Sequence, residues 1–218
     1  MIMDFEQNRY GIQSDLVYSI ARRFHQKRIL AFLRTNLPKF PGDFIGSVTM
    51  LAIRTFTEND ISTEISLFLN NKINESGYIF VFQATGPDIL VYQFPHIVHT
   101  PELFVIEAKR LPPTSSRDYV KTGIRRFKTE EHGKPHELAA ILGYIQDRDF
   151  CYWHKTVNSW IDTLISDADE TPEWTEQDKL GRVKVTNPGE YESIHSRVSK
   201  DPIALRHFWI MLNKTKAN

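Results

Sequence analysis

Pro87-Asp88 and, further along, Glu107-Ala108-Lys109 are the residues of this chain whose types and spacing could do chemistry. Asp88 opens an apolar run, Ile89-Leu90-Val91, and Glu107 closes another, Leu103-Phe104-Val105-Ile106. Strand side chains repeat every two residues, so Glu107 and Lys109 share a face, and a hairpin of adjacent antiparallel strands brings Asp88 beside them. Two carboxylates suit a hard divalent ion such as Mg²⁺, with Mn²⁺ as a substitute, because these ions take oxygen ligands and keep several waters. An ion held this way polarises a phosphate and acidifies water. A neighbouring ammonium can orient the attacking water or offset charge developing on the phosphate. The set therefore reads as a metal site for phosphodiester hydrolysis, with Asp88 and Glu107 as ligands and Asp88, Glu107 and Lys109 as the catalytic residues. The bland reading is a hairpin with a solvent-facing Glu–Lys pair, which would contribute little to stability.

Pro87-Asp88, eighteen intervening residues and Glu107-x-Lys109 resemble the signature of the restriction-endonuclease-like, PD-(D/E)XK, nuclease superfamily. That resemblance implies an α/β fold with a mixed central β-sheet, an αβββαβ core and flanking helices. It implies a Mg²⁺-dependent endonuclease cutting DNA, with RNA left open, in a setting of restriction or anti-phage defence. A double-strand break needs two such sites, which points to a homodimer or a larger complex. In the superfamily a glutamate from the helix before the hairpin often joins the metal, and Glu64 matches that place in the order of elements; a surface glutamate would look the same. The string Gly123-Ile124-Arg125-Arg126-Phe127, then His132-Gly133 and Leu142-Gly143-Tyr144, more loosely resembles nuclease-like proteins of bacteria and phages. Two other classes stay open: a non-catalytic nucleic-acid-binding or assembly subunit that keeps the fold, and a protein-interaction component.

The elements that must position these residues follow from periodicity. Residues 13–35 predict an amphipathic helix with Leu16, Ile20, Phe24, Ile29 and Phe32 inward, and Arg22, Arg23, Lys27 and Arg28 on a solvated face. A short helix is expected at 44–55. Another begins after Thr57, which stands in capping-box spacing with Asp60. Glu64 lies on the edge of its apolar stripe. Residues 78–83, 88–94 and 103–109 read as successive strands. A helix from Ser115 to Glu131 then places Tyr119, Val120, Ile124 and Phe127 on one side. Arg117, Lys121, Arg125 and Lys128 form a basic ridge on another, suited to nucleic-acid phosphates. The apolar run 138–145 reads as a strand buried on both faces, and Gln146 at its end could face the site. A helix over 150–167, an acidic loop over 171–181, and strands at 191–198 and 203–212 close the chain. Ser193, His195 and Arg197 alternate onto one face, where His195 and Arg197 could grip a phosphate.

Composition narrows the field. The 218 residues suffice for one substantial core without a linker, read as a single domain with its nuclease-like core at about 57–146, an N-terminal helical part and a C-terminal αββ part. Lys and Arg together number 27, as do Asp and Glu, so nucleic-acid binding must come from a local patch. One cysteine, Cys151, forbids an internal disulfide and suits a reducing compartment. With no signal-peptide pattern at Met1-Ile2-Met3-Asp4 and no apolar run long enough for a membrane helix, the expectation is a cytoplasmic chain with no membrane partner. His132 and His136, or Cys151 and His154, lack the further ligands of a zinc site. Neither a phosphate-binding GxxxxGK[ST] loop nor a GxSxG elbow is present.

Overall fold

In the computed structural model, residues 3–47, 55–95, 100–111, 117–199 and 201–212 are described. The protein is a mixed α/β structure built on a seven-stranded sheet. Helix α1 (Met3–Asn36) leads through a 3₁₀ turn to α2 (Phe40–Ser47), and then come α3 (Glu58–Asn70) and the short α4 (Ile73–Ser76). Strands β1 (Tyr78–Phe82), β2 (Ile89–Gln93) and β3 (Phe104–Leu111) follow as an antiparallel meander. A π-helical turn (Tyr119–Ile124) running into α5 (Arg125–Lys128) crosses to β4 (Leu138–Ile145), which lies parallel to β3. Helix α6 (Phe150–Ile165), β5 (Gly181–Val185), β6 (Gly189–His195) and β7 (Ile203–Met211) complete the chain. The strand order is β1-β2-β3-β4-β7-β6-β5, with β7 parallel to β4 and antiparallel to β6.

Alternation along the central strands divides the core into two layers. Ile106, Ala108, Ala140, Leu142, Phe208 and Ile210 face α1, α2 and α3. Val105, Ile141, Leu205 and Trp209 face the π turn and α6. Strand β4 is buried on both faces, as an apolar run between two parallel neighbours should be. Gly143 on β4 lets the indole of Trp209 lie against the strand, because a Cβ there would stand 2.4 Å from Trp209.

Several expectations hold and others shift. Thr57 and Asp60 do form a capping box on α3, whose last turn gives way to α4 and then to Gly77 in the left-handed region. On α1 the buried stripe is Gln26, Ile29, Leu30 and Leu33, whereas Ile20 and Phe24, expected inward, are 59% and 57% exposed. At that level α1 is held by polar groups: Arg22 donates to the Pro135 carbonyl and Arg23 pairs with Glu137. The Leu16 side chain, residues 48–54 of the expected second helix and the expected helix start at Ser115 lie outside the described residues. Strand β5 falls at the end of the expected acidic loop. Its Arg182 and Lys184 are exposed, as suits an edge strand.

Candidate active site

Asp88, Glu107 and Lys109 come together at the carboxyl end of β3, on the face covered by the π turn. Asp88 leaves the β1–β2 turn just before β2, and its Oδ2 accepts the Ala108 amide at 2.7 Å. In the antiparallel register Ile89 faces Ile106, so Pro87, which has no N–H, would stand opposite Ala108. The Asp88 carboxylate thus satisfies a backbone donor that the ladder leaves behind.

Glu107 and Lys109 share the face, as their spacing predicts, and a third carboxylate joins them. Lys109 Nζ lies 2.8 Å from Glu107 Oε1, 2.9 Å from Glu58 Oε1 and 3.9 Å from Asp88 Oδ2, and it donates to the Ala108 carbonyl at 2.7 Å. Glu58 is the first residue of α3, and its Oε2 accepts the Arg110 amide at 2.9 Å. Arg110 Nη1 and Gln146 Nε2 both donate to the Phe56 carbonyl, tying the start of α3 to the ends of β3 and β4. Gln146 therefore props the site from behind.

Glu64 does not reach this cluster. It is exposed, and Glu58 is the α3 carboxylate that lines the cleft. Six residues along a helix rotate a side chain by roughly 120° net and move it about 9 Å down the axis. The two glutamates cannot serve one point, and the helix end nearest β3 is the one that carries Glu58.

Glu107 is fully buried. Besides Lys109, its Oε1 meets Arg126 Nη1 at 3.1 Å, and its Oε2 lies 2.9 Å from His132 Nδ1. That last approach is close but poorly aligned, leaving both atoms buried without a true hydrogen bond. Arg126, His132, Thr122, Asp118 and Glu131 line an open cleft of about 630 Å³, together with the small residues Ala84, Thr85 and Gly86. Gly123 in the π turn makes room for the lysine, since a Cβ there would stand 3.2 Å from Lys109 Cγ.

The electrostatics follow from this crowding. Burial and then the charge of Glu107 push Asp88 up to about 6. Burial also acts to raise Glu107, but His132 and Lys109 outweigh it and hold that carboxyl below its ordinary value. Lys109 would be lowered by burial, yet Glu107, Glu58 and Asp88 raise it. The chain therefore concentrates negative charge at one point and covers it with its own ammonium. As a donor set this fits a hard divalent ion: oxygen ligands, one of them the unsatisfied Oε2 of Glu107. Among the described residues no three His, Cys, Asp or Glu side chains stand as a ready metal cage. The carboxylates close on Lys109, and an ion could enter only with that ammonium turned aside.

Asp88 has a measurable consequence for stability. Its folded carboxyl binds a proton near pH 6, against 3.8 for the ordinary group. Between those values the folded state holds more protons than the unfolded one, so stability falls as pH rises through the window. Asp88→Asn is expected to raise the melting temperature at pH 7, by the equivalent of roughly 3 kcal/mol at about 1.4 kcal/mol per pKa unit. The gain should vanish near pH 4. Melting curves of the two proteins that stay parallel from pH 4 to 8 would contradict this.

The expected basic ridge is broken by the π turn. A π turn adds a residue to the repeat, and such turns are rare and often found at functional sites. Arg117 and Lys121, ahead of or within it, are exposed. Arg125 pairs with Glu170 at 2.7 Å and donates to the Thr171 carbonyl. Lys128 is fully buried, 2.6 Å from Asp178 Oδ1 and over the ring of Trp174. Lys128 is therefore a core residue, and Arg126 is the basic side chain of α5 that reaches the cleft.

His195 and Arg197 are likewise interior. Arg197 donates to the carbonyls of Asp201, Lys134 and His136, closing the turn before β4. His195 belongs to a buried chain of hydrogen bonds. Trp209 Nε1 donates to the Tyr119 hydroxyl at 2.8 Å, and Tyr119 meets His207 Nδ1 at 2.7 Å. His207 Nε2 meets Ser193 Oγ at 2.7 Å, Ser193 meets His195 Nε2 at 2.6 Å, and His195 Nδ1 bonds Asp178. Indole only donates and carboxylate only accepts, so with both imidazoles neutral every link runs one way. His207 carries its proton on Nε2 and His195 on Nδ1, both neutral. Burial, which lowers both imidazoles, favours that state. Ser193→Ala would strand a donor and an acceptor at once, at about 1–3 kcal/mol each. A loss below the lower figure in denaturant unfolding would mean that the chain is not closed.

No family model, curated protein or solved structure matches the chain. The class is therefore set by the structure: a mixed α/β protein whose seven-stranded sheet is flanked by helices. Among the described residues no helix is long and apolar enough to cross a membrane.

Proposed function

We propose that this protein is a divalent-metal-dependent nuclease of restriction-endonuclease-like, PD-(D/E)XK, architecture that hydrolyses a DNA phosphodiester in the cleft lined by the 84–86 turn and the π turn. The carrying observation is the convergence of Asp88, Glu107 and Glu58 on Lys109 Nζ. Support for the architecture comes from the order α3-β1-β2-β3-helix-β4, an αβββαβ order with only the four-residue α4 between α3 and β1. Mg²⁺ held there would supply the charge that polarises a phosphate oxygen and acidifies a water. Asp88 and Glu107 would hold the ion, with Glu58 as the further carboxylate in the role first expected of Glu64. Lys109, turned off the carboxylates, would orient the attacking water or neutralise the phosphate as charge develops. Asp88, raised to about 6 when buried beside Glu107, gains a strong preference for a cation at neutral pH.

A second reading is favoured by the pairing around Glu107, whose oxygens already face Lys109, Arg126 and His132. A cluster so neutralised could serve a non-catalytic nucleic-acid-binding subunit. Cleavage assays decide between them. Wild-type protein should cut duplex DNA with Mg²⁺ or Mn²⁺ and stop with a chelator. Glu107→Gln and Asp88→Asn should lose cleavage while remaining folded, and an RNA substrate run in parallel tests the sugar. Binding of DNA without cleavage under every metal condition would favour the subunit.

A further inference from the structure

Arg126 is placed unlike any other cation near the cleft. Its side chain is 37% exposed, it lines the cavity, and its guanidinium touches the site through Glu107. Arg125 on the same short helix is tied to Glu170 and Thr171, and Lys128 is sealed in the core. Arg126's second partner, Glu131, is 3.8 Å from Nε and largely exposed, so it restrains little.

The Arg126–Glu107 contact is also redundant. If the guanidinium leaves, Glu107 Oε1 keeps Lys109 at 2.8 Å. The same cleft is lined by Ala84, Thr85 and Gly86, with Gly86 at φ 86° and nothing nearer a Cβ there than Gln83 Oε1 at 3.9 Å. A ligand backbone can approach these residues closely. Glu58, Asp88, Asp118 and Glu131 also line the cleft, so a phosphate entering it meets mostly negative charge. A planar fork of donors matches phosphate oxygens two at a time, which a point charge does not.

We infer that Arg126 is the phosphate grip of this cleft: it rests on Glu107 when the cleft is empty and exchanges that carboxylate for a backbone phosphate when nucleic acid enters. The inference rests on the reading of the cleft as a nuclease site. The exchange frees Glu107 Oε1 of one cation as the substrate arrives, so binding the strand and preparing the carboxylate are one movement.

The test is anisotropy of a short labelled DNA duplex in Ca²⁺ across a series of salt concentrations, with wild type, Arg126→Lys and Arg126→Gln. Arg126→Gln should bind about 10- to 100-fold more weakly, the effect of losing a hydrogen bond to a charged group. Its slope of log affinity against log salt should be shallower by about one. Arg126→Lys should keep the slope and recover part of the affinity, which a folding defect would not produce. Wild type that binds, with Arg126→Gln equal to it in affinity and slope, overturns the grip while leaving the nuclease reading intact. Wild type that neither binds nor cuts nucleic acid overturns both.

Discussion

Lys109→Ala is expected to lower single-turnover cleavage by about 10²- to 10³-fold, the usual loss when a group that meets developing charge is removed. The same substitution should tighten divalent-ion binding. Lys109 Nζ now sits where Glu58, Asp88 and Glu107 converge, so any ion entering must displace it or bear its repulsion. Two unit charges 4 Å apart interact by about 4 kcal/mol at an effective dielectric of 20, and a third of that is already about tenfold in affinity. The metal-free variant should melt lower than wild type, because three carboxylates are left facing one another, and Mn²⁺ should restore it. Calorimetric titration with Mg²⁺ or Mn²⁺ checks the affinity and quenched-flow cleavage checks the rate. An affinity that stays the same or weakens would mean that the ammonium is not competing for the metal position. Full activity would return Lys109 to the role of a structural partner of Glu107.

Much of this site is legible in the sequence because strands write themselves in period two. The apolar runs at 78–83, 88–94, 103–109 and 138–145 give four adjacent strands, and alternation alone puts Glu107 and Lys109 on one face. Glu58 is harder to find. The apolar stripe of α3 tells which side of the helix is buried, but not which end abuts the sheet, and it was the end that mattered. Its signal is the capping box at Thr57, which fixes Glu58 as the first helical residue. Lys128 leaves the expected ridge for the core and Arg126 reaches the cleft because the π turn breaks the 3.6-residue count, and a π turn has no composition of its own to read. Ser193, His195 and His207 carry the opposite lesson. Polar residues alternating along a strand suggest a wet face, yet here each polar atom finds a partner inside, and the exposed residue between Ser193 and His195 is the apolar Ile194. Local pattern cannot anticipate a partner such as Asp178, which arrives from a turn of 3₁₀ helix fifty residues after Lys128.

That partner carries a large stability effect. Asp178 is buried and accepts from Lys128, His195 and the Thr175 amide, while Lys128 is fully buried with Asp178 as its counter-ion. Removing one member of a buried pair leaves the other as an uncompensated charge, which costs about 3–5 kcal/mol. Asp178→Ala should therefore lower Tm on the order of 10 °C, at about 2–4 °C per kcal/mol for a chain of this size. Burial would raise the Asp178 carboxyl, but His195 and Lys128 hold it below its ordinary value, so its contribution is present at neutral pH and lost as pH falls below about 4. Lys128→Met combined with Asp178→Asn should cost much less than the two single changes added together. Asparagine keeps one acceptor oxygen for His195 and gives up the one that faced Thr175, and methionine fills the space over Trp174 without a charge to satisfy. A double-mutant cycle in denaturant reads the coupling directly. Strict additivity, with each single change costing under about 1 kcal/mol, would show that water reaches Lys128 and that the pair belongs to the surface class. A strong coupling would instead tie α5 to β6 through Asp178 and His195, holding Arg126 at the mouth of the cleft.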